Sequence, residues 1–278
     1  QTIHICWGEH LADGCVRKEV GGRTFITTFI AKKGRNKFFS TLRRYGLRYL
    51  EIFLSKPIDV NYIGIVPTTY PFKEKKWDIE DPLRKKIYET SIHTLRCCYH
   101  EHYEDCPWRE QSFYAMDSRN QMVYQSLVFK NTETMKAALK LMLEENRSDG
   151  LLGITFPNNM ELTIPSYGLY VPEELMLYYN LSKDKETLER VYPKIKLLTD
   201  TYLSKFDGDI VYNQSGHPYW NFYEWVEGLD GSPWYQGDSC DALFNMLMII
   251  YLENLAKINK LLGKEGDFKA EIKAIRKG

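Results

Sequence analysis
Asp105, Glu110, Tyr114 and Asp117 crowd into one short stretch of this chain, inside the run from Glu104 to Met122. Asp105 and Pro107 read as the start of a helix, with an acceptor at the cap and proline in the first turn. At about 100° per residue, Glu110, Tyr114, Asp117 and Gln121 then fall inside an arc of roughly 60°. Phe113, Met116, Val123 and Leu127 fall on another arc and make a packing face. One apolar face and one face of acid, tyrosine, acid and amide point to a lined pocket. Acids in a first helical turn also cap N–H groups and complement the helix dipole with no ligand present, and spacing alone leaves both readings open.

The wording of the stretch adds to its spacing. Asp105-Cys106-Pro107, Arg109-Glu110, the aromatic Tyr114 and then Asp117 resemble the signature of glycoside hydrolase family 78, the bacterial α-L-rhamnosidases. That pattern runs Asp-Cys-Pro-x-Arg-acid, an aromatic four residues on, then Gly-Asp. Gly46 to Ile52 resembles the strand that precedes the family's helical domain, and Thr163 to Tyr167 and Trp220 to Trp225 resemble further family blocks. The resemblance covers nearly the whole chain.

The resemblance implies a mostly α fold: part of an (α/α)6 toroid, the six-hairpin glycosidase domain, preceded by part of an antiparallel β-sandwich. Residues 1–70 are then the C-terminal part of the sandwich domain and 71–278 the first part of the catalytic domain. It implies an inverting hydrolase that removes terminal α-L-rhamnose from a glycan or glycoside, with no cofactor. Glu110 takes the place of the general acid, whose surroundings must keep it protonated. Asp105 and Asp117 match positions that hydrogen-bond sugar hydroxyls. Tyr114 stands where the family usually has tryptophan and would pack against the sugar's methyl group. Ala115-Met116 departs from the usual small residues before Asp117. Arg109 either contacts sugar or holds the carboxylates by an ion pair. Tyr167, Glu224 and Trp225 complete the substrate-binding set. No position matches the family's general base, so the chain is expected to be a fragment, close to inactive alone. The rival readings are a six-hairpin hydrolase or lyase acting on another sugar, and a glycan-binding protein with a decayed site.

The elements that must position these residues show in the patterning. Ile3, Ile5 and Trp7 alternate with polar neighbours, and 25–30 and 49–54 are β-branched and aromatic runs. Glycines between them supply turns, as in a sandwich. Residues 71–76 read as a polar linker. Beyond it the period becomes helical, with helices expected near 82–95, 109–128, 131–146, 168–181, 184–206, 237–262 and 266–276. The segment 207–235 is a long aromatic loop, too long for a mere connector. Its stretch 212–225 offers rings for stacking on sugars or for a structural cluster of their own. Unpaired sheet edges and an uncovered helix layer are association hazards.

A formal net charge of zero argues against a broad nucleic-acid surface. No apolar run approaches the roughly 18 residues of a membrane span. The first residues do not read as a signal peptide, and the compartment stays open. Cys6, Cys15, Cys97, Cys98, Cys106 and Cys240 form no Cys-x-x-Cys pair and read as small buried hydrophobes. His100-Glu101-His102 lacks the histidine spacing of a zinc helix, so no metal site is expected.

Overall fold
The computed structural model describes residues 1–145, 147–214, 216–231 and 241–278. The chain divides into two compact units. The first holds Gln1–Tyr70, Leu83–His100 and Glu104–Gln111, and the second holds Pro71–Pro82, Glu101–Tyr103 and Ser112–Gly278.

In the first unit the alternating run at the start becomes β1 (Thr2–Gly8), flanked by β6 (Ile26–Ile30) and β7 (Tyr49–Leu54) in a three-stranded antiparallel sheet of order β6-β1-β7. Ile5 stands opposite Thr27 on one side and Ile52 on the other. Two short hairpins intervene: β2 (Leu11–Ala12) with β3 (Cys15–Val16), and β4 (Glu19–Val20) with β5 (Arg23–Thr24). Their turns are Asp13-Gly14 and Gly21-Gly22, all four residues at positive φ, as two-residue hairpin turns require. Trp7, Phe25 and Trp108 form the core of this unit, with Val20, Tyr45, Leu47 and Leu50 packed around it. The ring of Tyr45 stacks on Trp7 at 3.9 Å. Helix α1 (Pro82–Cys97) buries Ile92 and Leu95, while Leu83 and Ile87 are exposed.

The second unit is helical: α2 (Ala115–Val128), α3 (Glu133–Leu143), α4 (Val171–Ser182), α5 (Lys185–Leu203), α6 (Ala242–Leu262) and α7 (Lys269–Ile275), with a 3-10 helix at Pro165–Tyr170 leading into α4. The described residues thus carry seven α-helices and the fold is mostly α. Helix ends follow local signals. Asp184 Oδ1 accepts the Thr187 N–H at 3.1 Å to cap α5, and Asp241 Oδ1 accepts the Leu243 N–H at 2.9 Å to cap α6. Gly263 closes α6 at a φ of 66°, the left-handed conformation that suits a terminal glycine. Met142, Val171, Leu175, Ile195, Met248 and Leu252 are wholly buried, each such aliphatic side chain contributing about 1.5–3 kcal/mol. Among the described residues no helix is long and apolar enough to cross a membrane.

Several local expectations are corrected. The helix expected from 109 begins at Ala115. Its packing face is Ala115, Ser118, Met122 and Gln125, while Leu127 is exposed. The polar face is tolerated because Gln125 is satisfied: it accepts from Tyr103 Oη at 2.5 Å and donates to Thr134 Oγ1 at 2.7 Å. The expected linker 71–76 is an ordered strap. Phe72 is buried and stacks on Phe129 at 4.2 Å, and the Lys75 N–H donates to Val128 O at 2.7 Å. Cys15 is exposed on its hairpin, unlike the buried Cys6 and Cys98. Cys240, the expected first turn of α6 at 237–240, and part of the aromatic loop (215 and 232–235) lie outside the described residues.

Gly46 meets the turn at Pro107 inside the first unit, and a Cβ on it would overlap the Pro107 carbonyl. Because the obstacle is backbone, it cannot swing aside. Gly46→Ala is expected to destabilise the protein by about 2–3 kcal/mol, read as a lower midpoint in urea denaturation.

Candidate active site
The motif spans both units: Asp105 to Gln111 belong to the first, Ser112 to Asp117 to the second. Residues 107–110 form a turn, not the first turn of a helix. Gln111 then takes a left-handed φ of 54°, uncommon for a non-glycine residue. Its side chain donates to Pro107 O at 2.7 Å, which closes the turn. The single helical arc expected for Glu110, Tyr114, Asp117 and Gln121 therefore does not form, since Glu110 and Tyr114 lie before the helix.

In the first unit three anchors hold the turn. Trp108 sits in the aromatic core, 4.9 Å from Phe25 between ring centres. Glu104 is wholly buried and bonded to the Arg44 guanidinium and to His100 Nδ1. Burial pushes its carboxyl up, but the bonds from His100 and Arg44 outweigh this and hold it below the usual carboxylate range. Cys106 joins two acidic residues. Its sulfur accepts the Glu110 N–H at 3.3 Å, and its thiol, pushed up by burial, is raised further by hydrogen bonding to Asp105. Glu110 presents Oε1 at 3.3 Å from Arg109 Nε, with its side chain 18% exposed. Arg109 thus makes the ion pair that its sequence position left open.

In the second unit Tyr114 occupies the cap position of α2, and Asp117 lies in its first turn. Tyr167 is buried, with its ring edge-on to Tyr114 at 6.5 Å. Burial raises its phenol, and the charge of Asp117, with Tyr114, Tyr170 and Glu224 around it, adds to the shift. Tyr114, Asp117 and Glu224 thus all act on the phenol of Tyr167. From Tyr167 the rings continue through Phe222 at 6.4 Å to Trp225, 4.8 Å beyond and 70% exposed. Trp220 also packs on Trp225 and anchors itself by donating Nε1–H to Asp230 O at 2.8 Å. Glu224 Oε1 accepts the Trp225 N–H at 2.7 Å. An exposed indole beside carboxylates suits the apolar face and the hydroxyls of a sugar.

The model of the bacterial α-L-rhamnosidase six-hairpin glycosidase domain matches residues 77–277. The chain belongs to that family. The family resemblance read from Asp105 to Asp117 holds, as does the mostly α, six-hairpin fold. Among solved structures, the family 78 rhamnosidase of Bacillus sp. GL1 superposes with a TM-score of 0.83 at 23% identity, covering 99% of this chain and 28% of that one. The α-L-rhamnosidase of Dictyoglumus thermophilum gives 0.75 at 20% identity, over 98% of this chain and 31% of that one. A rhamnosidase from Klebsiella oxytoca gives 0.70 at 18% identity, over 93% and 52% respectively. The chain thus spans about a quarter to a half of the length of these relatives. No curated protein sequence matches it.

Sequence reasoning missed the buried polar groups of this six-hairpin chain. Glu104 with Arg44 and His100 carries no local signal, because Arg44 lies 60 residues away. Glu174 on α4 is wholly buried, and its Oε2 has no hydrogen-bond partner among the described residues. The Ser118 hydroxyl stands 3.2 Å from Glu174 Oε1 but also 2.7 Å from Ala115 O. Ser118 has one proton and the shorter contact takes it, so the longer one is best served by a protonated Glu174. Burial pushes Glu174 well above the usual range, against the pull of Ser118 and Arg119. Its neighbour Glu173 is paired instead, accepting from Arg119 Nε at 3.1 Å. The only trace in sequence is Ser118 on the same helical face as Met122.

The sign of the linkage follows. A glutamate near 4.3 in the unfolded chain and raised in the fold contributes stability that is lost as pH rises through the folded value. Glu174→Gln does not titrate. It is expected to match wild type near pH 4 and to exceed it in stability at pH 7. Urea denaturation across that range measures the gap.

Proposed function
We propose that this chain carries the proton-donating part of an inverting α-L-rhamnosidase site, acting on a terminal rhamnose of a glycan or glycoside. The observation that carries the reading is Glu110 itself: a partly exposed carboxyl on a turn fixed by Trp108 and Cys106, in a chain of the bacterial α-L-rhamnosidase family. Glu110 protonates the departing oxygen. Asp105 and Asp117 accept hydrogen bonds from sugar hydroxyls, bonds that strengthen as positive charge grows on the ring. Tyr114, Tyr167 and Trp225 give the sugar apolar contact, Glu224 a further acceptor, and Arg109 holds Glu110 in orientation.

In an inverting enzyme a second carboxylate activates water from the opposite face, about 6.5–9.5 Å from the acid; no residue of this chain is assigned to it. The family model's span of 77–277 supports reading 71–278 as the first part of the six-hairpin domain, with 1–70 as the end of a β-sandwich. Rhamnose as the sugar is supported by two similar structures, one from Klebsiella oxytoca with rhamnose bound and one from Streptomyces avermitilis complexed with L-rhamnose.

In a protein that also supplies the second carboxylate, Glu110→Gln is expected to lower turnover of an aryl α-L-rhamnoside by about 10²–10⁴-fold, while calorimetry still registers L-rhamnose binding. Asp117→Asn is expected to do the converse at first order, weakening L-rhamnose binding by about tenfold or more through loss of a charge-assisted bond. Unchanged turnover in the first variant would remove Glu110 from the donor role.

A further inference from the structure
The hairpin β4–β5 brings a charge to Glu110 that the motif does not supply. Its turn at Gly21-Gly22 sets Arg23 at the head of β5. Arg23 Nη2 lies 3.8 Å from Glu110 Oε1, the same oxygen that Arg109 Nε approaches to 3.3 Å. Both arginine side chains are 48% exposed, so a ligand in solution can reach them. Arg43, which reaches the residue next to Arg23, is engaged elsewhere: it donates to Thr24 O at 3.0 Å, and its guanidinium covers the Trp7 ring at 4.6 Å.

A proton donor must act in the neutral form. If Glu110 is that donor, as the reading above holds, then until its proton leaves, Arg23 and Arg109 face a neutral group that does not offset their charge. A substrate anion would restore the balance. A donor within hydrogen-bond reach of the departing oxygen brings the sugar that leaves close to the same arginines. The planar fork of a guanidinium matches a carboxylate with two parallel bonds.

We propose that Arg23 is a specificity-determining residue that pairs with the carboxylate of a uronic acid in the departing part of the substrate, so that the preferred substrates are rhamnosyl uronates. Arg109, tied to the turn, orients Glu110; Arg23, on a hairpin outside the span matched by the family model, selects the leaving sugar.

Calorimetry on the full chain tests this with a disaccharide of L-rhamnose α-linked to glucuronic acid and with its methyl ester, which has the same shape and no charge. Wild type is expected to bind the acid about tenfold or more tightly than the ester, a preference that shrinks with added salt. Arg23→Gln is expected to bring the ratio close to one, and Arg23→Lys, with charge but no fork, to give an intermediate ratio. Equal binding of acid and ester by wild type that still binds L-rhamnose overturns this proposal alone. So does an Arg23→Gln variant that keeps the wild-type ratio. Wild type that binds neither disaccharide nor L-rhamnose overturns the rhamnoside reading, and this one with it.

Discussion
The indole of Trp108 is the fixed point of the motif. It lies between a glutamate that must be buried and an acid that must be presented, and it packs on Phe25 in the core that Trp7 also builds. With the ring seated, Pro107 is pressed against Gly46, and Glu110 emerges near the hairpin that carries Arg23. Burying so large a ring contributes more than any one hydrogen bond in the turn. The hydrogen bonds of Cys106 and Gln111 then choose among the shapes the anchored turn could take.

The two units solve the same problem with different materials. In the first, an aromatic core and a buried Glu104 bonded to Arg44 fix a loop with little regular structure. Such a pair is costly to desolvate, and its worth lies in holding one arrangement. In the second, residues sit at helix ends, where backbone geometry already limits them. Tyr114 and Asp117 stand at the start of α2, and Tyr167 stands on the 3-10 helix before α4. The loop bearing Trp225 is tied down at Tyr223, whose hydroxyl donates to Asp241 Oδ2 at 2.6 Å while Asp241 caps α6.

How far the sequence could be read follows from the range of the forces involved. The runs at 25–30 and 49–54 became β6 and β7, and the helical periods at 184–206 and 237–262 became α5 and α6, because these signals act over a few residues. The phase of the motif failed for the opposite reason. Asp105 and Pro107 suit a turn as well as a helix start, and the choice was made by Trp108 and Phe25, far apart in the chain. Residues 71–76 looked like a linker because four of the six are charged; one ring, Phe72 on Phe129, orders them. Of the candidate site, the acids and aromatics were legible by type and motif. Ser118 and Glu174 were not, since nothing local distinguishes a buried acid from one that caps a helix.

The family's stretch of 77–277 and the first unit's physical boundary disagree in an instructive way. Tyr45, Trp7 and Phe25 lie ahead of residue 77, yet they are the neighbours that seat Trp108. A protein engineered to start where the inherited helical module starts would keep every letter of the Asp-Cys-Pro signature and lose its mould. Swapping helical modules between relatives therefore transplants the signature, while its three-dimensional shape stays behind with the donor's β-strands.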